Sequence, residues 1–215
     1  MQPKPHTTRK LRYQNILFFI ACVCNAIPLL LVQYFPTVDG PAHMYNAHLL
    51  QDLIGGNEWV KTFHQLNPAL VPNWSATVLL IMLRSILPVF IVEKIMVAIY
   101  VTGFPLAFQN LLRAIKPGSN PPWLIIPFTY TFMLFMGFYN FNLGIIIFCF
   151  AMGFWIRKYE TPKPIHFAGL FLYGGILYFS HIFVFAAYVS CVGVYSISSL
   201  KNKDSLKKHL IRIVS

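Results

Sequence analysis

The sequence predicts an all-α, multi-pass membrane protein. Three observations carry that prediction: a composition too apolar for water, uncharged runs of membrane-spanning length, and cations gathered between those runs. Of 215 residues, 57% are hydrophobic and 11% charged, under half the charged share of an ordinary soluble domain. The net charge of +11 is spread over short clusters rather than one stripe, which argues against nucleic acid as a partner. Cations so placed are the anchors that the positive-inside rule expects on the cytoplasmic side.

The first element is a basic cytoplasmic N-terminus, 1–15, containing Lys4, Arg9, Lys10 and Arg12. Residues 16–35 follow as 20 positions without a charge, enough to cross a hydrocarbon core of about 30 Å. The stretch is too long for the h-region of a cleaved leader, and no A-x-A-like site follows Val32, so it is expected to remain as an anchor. Segment 36–72 is then an outer loop. It carries Asp39, Asp52 and Glu58 against Lys61 alone.

Within that loop, Phe35-Pro36-Thr37-Val38-Asp39-Gly40-Pro41-Ala42-His43 leads into an amphipathic helix ending at Gly55-Gly56. Ala42, Tyr45, Leu49, Leu50 and Leu53 share helical spacing and are expected to lie along the membrane surface. Residues 73–112 are divided by Pro88. Segment 74–87 is expected to be re-entrant or interfacial, because about 20 Å of helix does not cross, and 89–112 to be the span.

Two runs of 34 residues, 123–156 and 167–200, contain no Asp, Glu, Lys or Arg. One helix of that length would reach about 50 Å, so each run is expected to break at its polar centre. Those centres are Gly137-Phe138-Tyr139-Asn140-Phe141-Asn142-Leu143-Gly144 and Ser180-His181. Basic clusters bracket both runs, with Arg113 and Lys116 before, Arg157, Lys158 and Lys163 between, and 201–215 after. The result is a transmembrane domain over 16–200, about six spans plus a re-entrant helix, with Asp39, Asn140 and His181 on one outer face; if 74–87 also crosses, Arg113 and Lys116 lie outside and the centres at 137–144 and Ser180-His181 move to the cytoplasmic face. The four cysteines, Cys22, Cys24, Cys149 and Cys191, lie in apolar runs without C-x-x-C spacing and are expected to pack.

The residues with chemistry to offer are few. Asp39 is either a helix N-cap with Pro41 in the first turn, or it stands before a Gly40 cap and faces a pocket. A carboxylate at the membrane surface can act as a general base or hold a divalent cation against a lipid phosphate. His43 lies one turn further on. Tyr139, Asn140 and Asn142 are either turn residues or a group that binds sugar hydroxyls. His181 is the lone ionisable group of its run, which in a membrane segment marks a functional candidate. Asn73-Trp74-Ser75 matches a glycosylation sequon.

A basic N-terminus, one span and an outer loop opening on an Asp just past the membrane exit together resemble the C-type (GT-C) membrane glycosyltransferases. The Asp39-Gly40-Pro41-Ala42-His43, 137–144 and Ser180-His181 segments are similar to bacterial members of that class. The resemblance implies a GT-C-like helical bundle in the bacterial inner membrane. It implies transfer of a sugar from a polyprenyl-phosphate carrier to an acceptor on the extracytoplasmic face. It maps the catalytic or metal-coordinating carboxylate onto Asp39, with Mg or Mn as the cation, and it implies a chain that continues beyond Ser215 with further spans. The class often has a second acidic motif in a later outer loop; here Tyr139, Asn140 and Asn142 stand in its place. Two other readings compete. A transporter or channel module would use Arg84, Glu93, Lys94 and His181 as an intramembrane polar path, and a non-catalytic assembly subunit would use Asp39 only as a cap.

Overall fold

The structure, a computed structural model, describes residues 5–67 and 69–200, with side chains over 11–67 and 69–198. The basic segment 201–215 and the first residues of the basic N-terminus lie outside the described residues. Every regular element described is helical. The α-helices are α1 Pro5–Cys24, α2 Gly40–Ile54, α3 Glu58–Phe63, α4 Ser75–Arg84, α5 Val89–Ile115, α6 Phe132–Phe135, α7 Tyr139–Lys158, α8 Pro164–Ser180 and α9 Ile182–Leu200. Among the described residues three segments are long and apolar enough to cross a membrane: Leu11–Leu30, Val89–Ile115 and Tyr139–Lys158. Shorter apolar helices fill Ser75–Arg84, Trp123–Phe135, Pro164–Ser180 and Ile182–Ser198.

Both 34-residue runs break where their polar centres fall. In the second, His181 takes an extended conformation (φ −162°, ψ 129°) and stops α8 one residue before α9 begins. In the first, the break is Gly137-Phe138. Gly137 has φ +79°, a region that costs a side-chain-bearing residue about 1–2 kcal/mol. The arm before that break is not one helix. Pro121, Pro122 and Pro127 each withhold a backbone N–H, and the chain advances by 3-10 turns at Trp123–Ile125 and Pro127–Thr129 before α6. Segment 74–87 is likewise short, a ten-residue helix ending at Arg84, with Pro88 set at φ −61°, ψ 147° to start α5.

Pro105 lies inside α5 and has no N–H to give the carbonyl of Val101, four residues back. An unsatisfied carbonyl in an apolar bundle costs several kcal/mol. Asn25, just past α1, answers it: its Nδ2 donates to Val101 O at 3.2 Å and to Thr129 Oγ1 at 2.8 Å. Tyr130 closes the group by donating its hydroxyl to Asn25 O at 2.6 Å. A residue inside the apolar run 16–35 thereby ties three segments together.

Contacts fix the running directions. Asn15 meets Arg113 and Gln109 at one end of α5, whereas Thr37 meets Glu93 near the other. The first segment therefore runs opposite to α5. The 123–135 arm climbs beside it, as shown by ring contacts of Phe18 with Trp123 and of Phe35 with Tyr130 and Phe135. α5 and α7 run parallel and make the largest helix pair. One apolar core joins α2, α4 and α5 around Met44, Leu80, Val97 and Tyr100; another joins α7, α8 and α9 around Met152, Leu177 and Tyr188. α2 turns Gly40, Met44 and Ala47 inward, while Tyr45 of the expected apolar stripe is 59% exposed. Small residues on the inward face let α2 approach closely. The cysteines are free: Cys22 and Cys149 are buried, and Cys24 and Cys191 are exposed.

Candidate active site

The loop that carries Asp39 is held by the break before α7. Val38 N–H donates to Phe135 O at 2.9 Å and Asp39 N–H to Met136 O at 3.0 Å. Gly137 supplies the close approach, since a Cβ there would stand 2.7 Å from Gly40 N and 3.0 Å from Asp39 N. On the other side of the loop, Thr37 Oγ1 donates to Glu93 Oε1 at 2.9 Å, and Tyr139 donates its hydroxyl to the same oxygen at 2.7 Å. A Cβ on Gly40 would overlap Thr37 Oγ1, Glu93 Oε1 and Tyr139 Oη. The 36–40 segment is thus fixed by backbone bonds on one flank and a buried carboxylate on the other.

Asp39 occupies the N-cap position of α2, with φ −94° and ψ −7°, but its side chain makes no capping hydrogen bond. It lines a polar cavity of about 260 Å³ together with His43, Asn73, Phe138, Asn140, Phe141 and His181. Residues from the first loop, the start of α4, the start of α7 and the α8–α9 break therefore meet in one place. The His43 ring packs against the Tyr139 ring, tilted by 38° with centroids 5.5 Å apart. Burial holds its pKa below the ordinary 6.5, with the Asp39 carboxylate pulling the other way, so the neutral imidazole predominates at pH 7. His181 packs edge-on against Phe141 at 5.2 Å, and its Nδ1 is buried without a partner among the described residues.

The 139–142 group divides. Asn140 reaches the cavity, yet its Oδ1 accepts from Ala76 N–H at 2.8 Å and Ser75 Oγ at 3.1 Å, so it caps α4 across the bundle. Tyr139 stands behind the wall and holds Glu93. Asn142 is 1% exposed and does not line the cavity. Its amide atoms are buried without a partner among the described residues. Of the residues put forward from sequence, Asp39, His43, Asn140 and His181 are brought together, while Tyr139 and Asn142 are not in the lining.

Asn73, Thr37 and Glu93 complete the arrangement without having been assigned to it from sequence. Asn73 has φ +69°, a left-handed conformation that Asn tolerates better than most residues, and the next residue, Trp74, donates its N–H to Phe179 O at 2.7 Å. The sequon at Asn73 thus lies in the cavity wall, with the Ser75 hydroxyl engaged by Asn140. A lone Glu inside an apolar segment was the available signal for Glu93; nothing in the sequence pairs it with Thr37. Arg84 is elsewhere, donating through Nε to Gln51 Oε1 at 2.9 Å.

A wider groove of about 930 Å³ adjoins the cavity, lined by Leu70, Val78, Phe171, Leu172, Ile176 and Phe179, with Trp74 and Ser75. Near neighbours in sequence pass from one to the other: Asn73 lines the polar cavity and Trp74 the groove, while Phe179 lines the groove and His181, two residues on, the cavity. Among the described residues no group of three His, Cys, Asp or Glu side chains is placed to hold a metal ion. No protein-family model, curated protein or solved structure matches the chain.

Proposed function

We propose that this chain is the catalytic membrane portion of a GT-C-like glycosyltransferase, which moves a sugar from a polyprenyl-phosphate donor to an acceptor at the extracytoplasmic face of the bacterial inner membrane. The observation that carries the reading is the junction of a small polar cavity holding an uncapped carboxylate with a long apolar groove. Such a pair of spaces suits a ligand with a polar head and a hydrocarbon tail. In this reading the bundle crosses the membrane about six times, with the 36–72 loop and the 137 and 181 breaks on the outer side and α4 not crossing.

In the transfer, the acceptor hydroxyl oxygen attacks the anomeric carbon and the bond from that carbon to the donor phosphate oxygen breaks. The phosphate leaves with the electron pair. Asp39 takes the acceptor proton, and the neutral His43 imidazole orients the hydroxyl beside it. Asn73 and His181 face the sugar. Tyr139 acts through the loop by way of Glu93, and Asn140 through α4, rather than by contact with substrate. A divalent cation such as Mg or Mn would find one carboxylate here, Asp39, and would take its other oxygens from the donor phosphate and water, a set this ion type accepts. Its chemistry when bound would be to neutralise charge on the departing phosphate.

The test is Asp39→Asn, assayed in membranes with a polyprenyl-phosphate sugar donor. Turnover should drop about a hundredfold or more at unchanged protein level. Near-normal turnover would remove Asp39 from the chemistry and the reading with it.

A further inference from the structure

At the end of the bundle away from Asp39 lies a second cavity, of about 600 Å³, between the last turns of α5 and α7 and beside α9. It is separated from the polar cavity by roughly the length of α7, about 30 Å at 1.5 Å per residue. Arg113 and Arg157 enter its lining with Ala114, Ile115, Ile156 and Glu160, and Tyr195 of α9 closes one side.

Both guanidiniums are fixed in place. Arg157 donates through Nη1 to Gly153 O at 3.1 Å, and through Nη2 to Asn110 O at 2.7 Å and Asn110 Oδ1 at 2.9 Å. Arg113 donates through Nη2 to Asn15 Oδ1 on α1, and its Nε is buried with no partner among the described residues. These partners are neutral oxygens. The ion pairs found among the described residues are His48–Asp52 and Lys61–Glu58, so neither arginine is within salt-bridge range of a described carboxylate. Among the described residues that line the cavity, two oriented cations are accompanied by one acidic side chain, Glu160.

We propose that this cavity binds the phosphate headgroup of an anionic phospholipid from the leaflet at that end of the bundle. The charge calls for an anion, and planar guanidiniums match phosphate oxygens through paired N–H donors. The apolar wall of Ala114, Ile115 and Ile156 calls for hydrocarbon next to that anion. The position fits as well, because α5 and α7, both long and apolar enough to span, end here, at the depth where headgroups lie. Basic pockets between membrane helices hold anionic headgroups in this way.

The proposal does not depend on the transfer reaction, and binding is measured without it. The full chain is placed in phosphatidylcholine nanodiscs with and without phosphatidylglycerol, and lipid retention is followed by native mass spectrometry alongside thermal unfolding. Phosphatidylglycerol should be retained in preference to phosphatidylcholine and should raise the unfolding temperature. Arg113→Gln should weaken that retention by roughly fivefold or more, the worth of one cation near an anionic surface. The double variant K158Q/K163Q, which removes charge at the same end outside the cavity lining, should keep the preference. Ile156→Trp keeps both arginines and fills the cavity, so it should lose the lipid even where Arg113→Gln disturbs folding. Equal losses in Arg113→Gln and K158Q/K163Q, retention in Ile156→Trp, or the same stabilisation by inorganic phosphate alone would each overturn the site.

Discussion

The Tyr139 hydroxyl donates to Glu93 Oε1 at 2.7 Å, with both residues buried, and this bond decides where the Asp39 loop sits. Thr37, two residues before Asp39, shares the same carboxylate oxygen at 2.9 Å. The ring that carries the hydroxyl also packs against His43. One side chain of α5 therefore positions the first loop, the start of α7 and the start of α2 together.

Tyr139→Phe should lower stability by about 1–3 kcal/mol, the cost of leaving a buried acceptor short of a donor. Glu93→Leu alone should cost a similar amount. Combined, the two changes should cost less than their sum if the bond is their shared interaction. Denaturation of the four proteins in one detergent measures this, and full additivity would separate the two residues.

Gly40→Ala should fail to support the fold of the loop, because the new Cβ meets Thr37, Glu93 and Tyr139 at once. Gly175→Ala is the matched control, in the middle of α8 with nothing near its Cβ direction. There alanine should be neutral or gain up to about 1 kcal/mol from its higher helix propensity. Thermal unfolding of the two variants should differ in sign.

Asn140→Ala removes the acceptor for Ala76 N–H and Ser75 Oγ, and should cost about 1 kcal/mol, the usual worth of a helix cap. Asn140→Asp keeps an acceptor oxygen and should restore much of that stability. A residue that acts through α4 is rescued in this way. If both variants leave unfolding unchanged, Asn140 does not cap α4.

His43 should make stability fall on acidification. Its folded pKa lies below 6.5 because burial opposes the imidazolium, so the unfolded chain binds more protons between that lowered pKa and 6.5. The contribution is complete above pH 6.5 and is lost as pH falls through the folded value. Unfolding temperature measured from pH 7.5 down to 5 should drop less steeply in His43→Gln than in the parent. An identical slope would mean that His43 titrates alike in both states.

Much of the architecture is legible in the sequence, because charge is so costly in an apolar solvent that its absence marks the long runs and its clusters mark their ends. Length sets the rest: 34 uncharged residues cannot be one straight span, and the chain does break at Gly137-Phe138 and at His181. α4 is short, ten residues that end at Arg84, four positions before Pro88. The 3-10 turns of 123–135 were less visible, since apolar content does not distinguish a regular helix from a proline-interrupted one.

The sequence by itself determined the helical class, the breaks, and the candidacy of Asp39, His43, Asn140 and His181, because polar residues in so apolar a chain are few and each is conspicuous. Only the tertiary structure decided that these four share one cavity, that Tyr139 and Asn142 stay out of its lining, and that Glu93 anchors the loop. Asp39 shows why. Its position before Pro41 fits a cap and a pocket equally well in one dimension, and the choice falls to the carboxylate's surroundings. Those come from residues 73, 140 and 181, which no local pattern connects to it and which close packing of four separate segments brings within reach.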